Sequence, residues 1–162
     1  VSLTDDVGLD IVDKITKHIK RKPVEFEASF HLTTGIHDCG LIHHDIKKYA
    51  GVIYLNPEPP SDCGTVIASL KHPSFKELIE SADEQLTKEF SAANTTLDPD
   101  VIKSFIKVKE KYNQVFFKID GIIRNVYNRM IIYKGGSTYH CPDRSFGESL
   151  EDSRLVVVFW FD

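Results

Sequence analysis

Two hydrophobic periodicities divide this chain. Ile11, Ile15 and Ile19 recur every four residues, which predicts a short amphipathic helix over 10–20 with Asp10 as its cap and Pro23 as its stop. The period then changes to two. Val24, Phe26, Ala28, Phe30 and Leu32 alternate with Glu25, Glu27, Ser29 and His31, the pattern of a half-buried strand. Further strand-like runs occupy 40–45, 51–56, 65–70, 115–126, 129–133 and 155–161. Turn residues separate them: Gly35, Asn56-Pro57, Pro59-Pro60 and Gly135-Gly136. Asp120-Gly121 lies inside the 115–126 run and predicts two strands joined by a tight hairpin there.

One segment breaks the β pattern. Phe75, Leu78, Ile79, Ala82, Leu86 and Phe90 fall on one helical face. Asp98-Pro99-Asp100 then reads as a second helix start, continued by Val101, Ile102, Phe105, Ile106 and Lys109. A helical insertion at about 71–112 is therefore expected between two strands. The helices do not alternate one for one with the strands, which disfavours an α/β sheet. The expected fold is mainly β with flanking helices, a sandwich or jelly roll formed by residues 1–162 as a single domain.

Composition narrows the function classes. The 162 residues carry a net charge of −4, which argues against a nucleic-acid partner, because phosphate binding needs a basic stripe. The basic run Lys17 to Lys22 reads as a solvated helix end. No apolar run is long enough to cross a bilayer, and no secretory leader is read at the start. The chain begins at Val1 and its only methionine is Met130, so residues encoded upstream are expected to be missing from it. Cys39, Cys63 and Cys141 form no C-x-x-C pair, which excludes a four-cysteine zinc site and points to a reducing, cytoplasmic compartment. Cys141 reads as a small apolar side chain at a strand end.

The candidate chemistry lies in two distant segments. Residues two apart on a strand share a side, so His43 and Asp45 can grip one face of a cation while His44 points away. His140, after an apolar run and a Gly-Gly turn, is the best-placed third ligand. Two imidazoles and one carboxylate are the ligand set of non-haem Fe(II) oxygenases, and they leave coordination positions open. His31, His37 and His72 have no partner at useful spacing and read as structural or surface residues. Arg154 opens an alternating strand, sharing a face with Val156, Val158 and Trp160. A guanidinium among apolar neighbours is costly unless paired, and a dicarboxylate ligand would pair it through two parallel hydrogen bonds.

These stretches resemble the Fe(II)/2-oxoglutarate-dependent dioxygenase superfamily, and within it the prolyl-hydroxylase-like group. The resemblance is carried by Gly40-Leu-Ile-His43-His-Asp45, Gly51-Val-Ile-Tyr54-Leu-Asn56, Cys63-Gly64-Thr65, Tyr127-Asn-Arg-Met-Ile-Ile-Tyr133 with His140, and Ser153-Arg-Leu-Val-Val-Val-Phe-Trp-Phe-Asp162, in family order along 24–162. It implies a double-stranded β-helix with iron at its open end. It further implies that His43, Asp45 and His140 hold Fe(II), and that Arg154 and Tyr54 bind the distal carboxylate of 2-oxoglutarate. Thr33 stands where close relatives often have a tyrosine lining the cosubstrate pocket. Val156 replaces the Ser or Thr that many members carry, and Arg154 follows His140 by fourteen residues, at the long end of the usual gap. A carboxylate at Asp45 disfavours a halogenase.

The implied reaction consumes O2 and 2-oxoglutarate, with ascorbate as a candidate accessory reductant. It releases succinate and carbon dioxide as a substrate C–H bond is hydroxylated. A peptide or protein side chain is the favoured substrate. A small metabolite, or a non-enzymatic metal-binding jelly-roll module, are the alternatives. On this reading the 71–112 insertion is a lid or substrate platform.

Overall fold

A computed structural model describes residues 5–35, 40–79 and 99–162. Helix α1 (Asp5–Ile19) is followed by β1 (Glu27–Thr33), β2 (Tyr49–Tyr54), β3 (Gly64–Leu70), helix α2 (Pro99–Phe116), β4 (Phe117–Arg124), β5 (Met130–Tyr133), β6 (Tyr139–Pro142) and β7 (Arg154–Phe161). The strands form two antiparallel sheets, one ordered β1-β7-β2-β5 and the other β4-β3-β6. The fold is mainly β with a few helices, as the alternating pattern predicts. No helix among the described residues is long and apolar enough to cross a membrane.

Strand β7 is covered on both faces. Val157, Phe159 and Phe161 pack with Ile11 and Ile15 of α1, and Phe26 and Tyr49 stack on the two phenylalanines. Fully burying a side chain such as Ile15 or Phe159 contributes about 2 kcal/mol, so this layer holds helix and sheet together. The opposite face of β7 looks toward the second sheet. Gly51 of β2 permits the close stacking, since a Cβ there would lie 2.2 Å from the Phe159 ring. A second apolar cluster, with Val66, Ala68, Tyr112, Phe117 and Cys141, joins β3 and β6 to α2.

Several boundaries differ from the expected ones. Helix α1 starts five residues earlier, and Asp10 lies inside it, paired with Lys14 rather than capping. The helix stops at Ile19, and Lys20 takes the left-handed conformation (φ 54°) usual just past a helix end. Strand β1 lies at a sheet edge, so Phe30 and Leu32 are exposed rather than core. Run 115–126 is one strand and no hairpin. Val115 and Phe116 end α2, and Asp120 is an extra residue bulged opposite the Ile67/Ala68 step of β3. Segment 40–45 forms only a single bridge, His43 to His140. Of the helical insertion, residues 75–79 and α2 are helical, whereas Ala82, Leu86 and Phe90 lie outside the described residues. Pro99 opens α2 where the Asp-Pro-Asp signal places it.

Candidate metal centre

His43, Asp45 and His140 converge between the two sheets. One potential ligand atom from each lies within 4.8 Å of the others. His140 reaches the site from β6, whose pairing with β3 sets Ile67 opposite it. His43 and His140 exchange both backbone hydrogen bonds, 3.0 and 2.8 Å, which brings their rings to 4.6 Å between centroids. Asp45 is tethered through its backbone N–H, which donates to the Gly135 carbonyl at 3.1 Å. The Gly-Gly turn is therefore part of the site's frame. A Cβ on Gly135 would lie 2.6 Å from the Lys47 carbonyl and 3.1 Å from Asp45 Cβ.

The hydrogen-bond pattern fixes the proton positions. Nδ1 of His43 lies 2.9 Å from the Leu41 carbonyl, and Nδ1 of His140 lies 3.0 Å from the Thr138 carbonyl. A carbonyl can only accept, so each Nδ1 carries the proton and each neutral ring presents a bare Nε2. Both Nε2 atoms face the Asp45 carboxylate, at 3.9 Å from Oδ1 for His43 and 3.4 Å from Oδ2 for His140. Trp160 Nε1 donates to Asp45 Oδ1 at 3.0 Å, which holds the carboxylate in place. Asp45 Oδ2 is buried and has no hydrogen-bond partner. Three acceptors thus face one another with no donor between them. A bound cation resolves that arrangement, and the residues present fit one.

Burial tunes the same atoms. The His140 imidazole is pushed down to about 4 by desolvation first and by neighbouring His43 second, so it is neutral and able to ligate at physiological pH. Burial, followed by the Asp45 charge, pushes the Tyr133 phenol far above its ordinary value and keeps it protonated. Its ring lies 4.5 Å from that of His140, tilted by 52°.

A cavity of about 150 Å³ continues from these side chains and has room for a small organic molecule. Val52 and Val158 give it apolar walls, and Thr33, Thr65, Tyr133 and Arg154 give it polar ones. Arg154 is 3% exposed, and its Nε has no hydrogen-bond partner. Burial lowers its pKa from the usual arginine value, and among the described residues no carboxylate pairs with it. No protein-family profile, curated protein or solved structure significantly matches this chain.

The sequence-derived residues therefore divide into two groups. His43, Asp45, His140, Arg154 and Thr33 line one cavity. Thr33 does so because it pairs with Arg154 across β1 and β7. Tyr54 is fully buried behind the wall, where its hydroxyl meets Thr65 Oγ1 at 2.7 Å and donates more weakly to the Ile123 carbonyl at 3.4 Å. His44 contacts Tyr139 by its ring edge and is absent from the cavity lining, as expected. His37 and Cys39 lie outside the described residues. Sequence reasoning missed the Trp160 contact to Asp45 and the placement of Tyr133, while His31, exposed as a surface residue is, also lies along the cavity. Trp160 was discoverable, since it shares the face of Arg154 on an alternating strand.

Proposed function

We propose that this chain is an Fe(II)- and 2-oxoglutarate-dependent dioxygenase that hydroxylates a C–H bond of a peptide or protein side chain, built on a double-stranded β-helix. The observation that carries the reading is the shared cavity. A cluster of three cation-seeking acceptors and a buried guanidinium without a carboxylate open into the same small space. An ion alone would satisfy the first, and a monocarboxylate alone the second. A keto acid with a remote carboxylate answers both at once. The strand order supports the fold assignment, since the 43/140 bridge adds a short fourth member to the β4-β3-β6 sheet opposite β1-β7-β2-β5. The peptide substrate class rests on the resemblance of the motifs.

On this reading His43, Asp45 and His140 hold Fe(II), which supplies oxidative C–H chemistry when it is bound with 2-oxoglutarate and dioxygen. Arg154 pairs the distal carboxylate, and Thr33 and Thr65 flank it. Tyr54 steadies the Thr65 hydroxyl from behind. Val52 and Val158 exclude water from the reacting side. Trp160 keeps the Asp45 carboxylate aimed.

The test is anaerobic titration of the Fe(II)-loaded protein with 2-oxoglutarate, followed by succinate measurement in air with ascorbate and with either a peptide library or free amino acids. The wild-type chain should develop the visible absorption of an iron-bound keto acid, and turnover should favour peptides. Arg154→Ala should still bind metal but require roughly a hundredfold more 2-oxoglutarate, since truncating one partner of a buried charge pair costs a few kcal/mol. Without cosubstrate, Arg154→Met should unfold no earlier than wild type, because it removes a buried charge that no carboxylate pairs among the described residues. Absence of both the absorption and succinate would reject the proposal.

A further inference from the structure

The two histidines orient their rings in the same way but are supported differently. The Thr138 carbonyl that holds His140 belongs to the peptide leading into Tyr139, which pairs with Ala68 of β3. The Leu41–Ile42 peptide that holds His43 makes no such ladder bond: the segment meets β6 on either side of it, at the His43 bridge and through the Gly40 N–H, which donates to the Pro142 carbonyl at 3.1 Å. A helix side chain takes the place of the sheet. Asn113 of α2 accepts from the Ile42 backbone N–H through Oδ1 at 2.9 Å and donates to the Gly40 carbonyl through Nδ2 at 2.9 Å. The amide orientation is the one in which both of its ends are satisfied.

The Ile42 N–H and the Leu41 C=O are two ends of one peptide group. Asn113 holds the first, and His43 Nδ1–H holds the second. Fixing that plane fixes the direction in which its carbonyl points, and hence the ring it orients. A peptide whose N–H is engaged is also a stronger acceptor at its oxygen. A stronger acceptor on Nδ1–H stabilises the tautomer with a bare Nε2 and raises the basicity of that nitrogen.

We propose that Asn113 is a positioning residue that holds His43 in its ligating orientation and tautomer through the Leu41–Ile42 peptide, making α2 part of the metal centre's frame. This rests on reading His43 as a metal ligand. It also changes the role expected of the inserted helices, since a pure lid would leave metal affinity untouched.

The experiment compares wild type, Asn113→Ala and Asn113→Asp. One measurement is the nitrogen chemical shifts of the two ligand imidazoles in the metal-free protein at mildly alkaline pH. The other is Mn(II) affinity by titration. In Asn113→Ala, His43 should lose its single Nδ1–H tautomer while His140 keeps its own, and Mn(II) should bind about tenfold more weakly. Asn113→Asp retains an acceptor for the Ile42 N–H and should recover most of the His43 signal. Unchanged His43 signals and unchanged Mn(II) affinity in Asn113→Ala would overturn the proposal. Equal disturbance of both imidazoles would also overturn it, since that is the mark of a merely structural anchor. If the His43 tautomer responds to Asn113 but no variant, wild type included, takes up Mn(II), the positioning inference stands and the metal reading falls.

Discussion

His43 and His140 meet at the same carboxylate by different physical routes. The His140 side chain is 8% exposed on a strand bonded to β3, whereas that of His43 is 43% exposed on a segment held by one bridge, single backbone bonds at Gly40 and Asp45, and a helix clamp. One arm is held by a sheet ladder within the three-stranded sheet. The other is held by a few local contacts. A candidate metal centre assembled in this way has one rigid imidazole and one adjustable one. The rigid side carries the desolvation cost that depresses the His140 pKa, and the adjustable side can be weakened without unfolding the protein.

The largest expected effect comes from removing the adjustable arm together with the shared carboxylate. His43→Ala combined with Asp45→Ala should weaken Mn(II) or Fe(II) binding by more than about a hundredfold and abolish succinate formation, with the fold retained by circular dichroism. Full turnover in that variant would remove the basis of the comparison.

The second effect separates the arms by pH. The imidazole of His140 sits near 4 in the folded state, below its ordinary 6.5. Between these values the unfolded chain binds the extra proton. Stability of the metal-free protein should therefore fall as pH drops from 6.5 toward 4 and level off below, by on the order of 3 kcal/mol in total. Urea midpoints across that range would measure it. His140→Ala should flatten the slope, and His43→Ala should keep most of it. An equal loss of slope in both would erase the asymmetry.

The third and smallest effect probes the seat of the loose arm. A Cβ at Gly40 would lie 2.5 Å from Pro142 Cδ and 2.9 Å from Cys141 Cβ. Gly40→Ala should push 40–43 away from β6 at a cost of about 2 kcal/mol and reduce metal affinity, with the His140 imidazole signal unchanged.

The same asymmetry explains what could be read from the sequence. Strand β7 is legible because a continuous apolar run of strand-forming residues follows Arg154, as expected for a strand covered on both faces. It places Arg154 and Trp160 on one face, and both line the cavity. Strand β6 was not recognised as a strand, since four residues are too few to show a period. The 40–45 segment reads as a strand, but it meets β6 only around Gly40 and His43, and the peptide between them is held by a side chain 71 residues from Ile42, a contact that no local pattern encodes. Asp120-Gly121 carries the chemistry of a tight turn. Pairing with β3 on both sides of the bulge overrides that local preference and keeps β4 continuous. His31 reads as a structural or surface residue and is exposed, yet it also lies along the cavity. The polar face of an alternating strand looks the same in sequence whether it meets water or a ligand.

The bulge has one more consequence. β4 forms an outer margin of its sheet, and Ile119 and Ile122 are exposed along it. A straight apolar margin would offer its amide and carbonyl groups to any extended chain that met it. The inserted Asp120 kinks the strand and places a charge in the row beside Lys118, which discourages another molecule from adding a strand and starting a fibre.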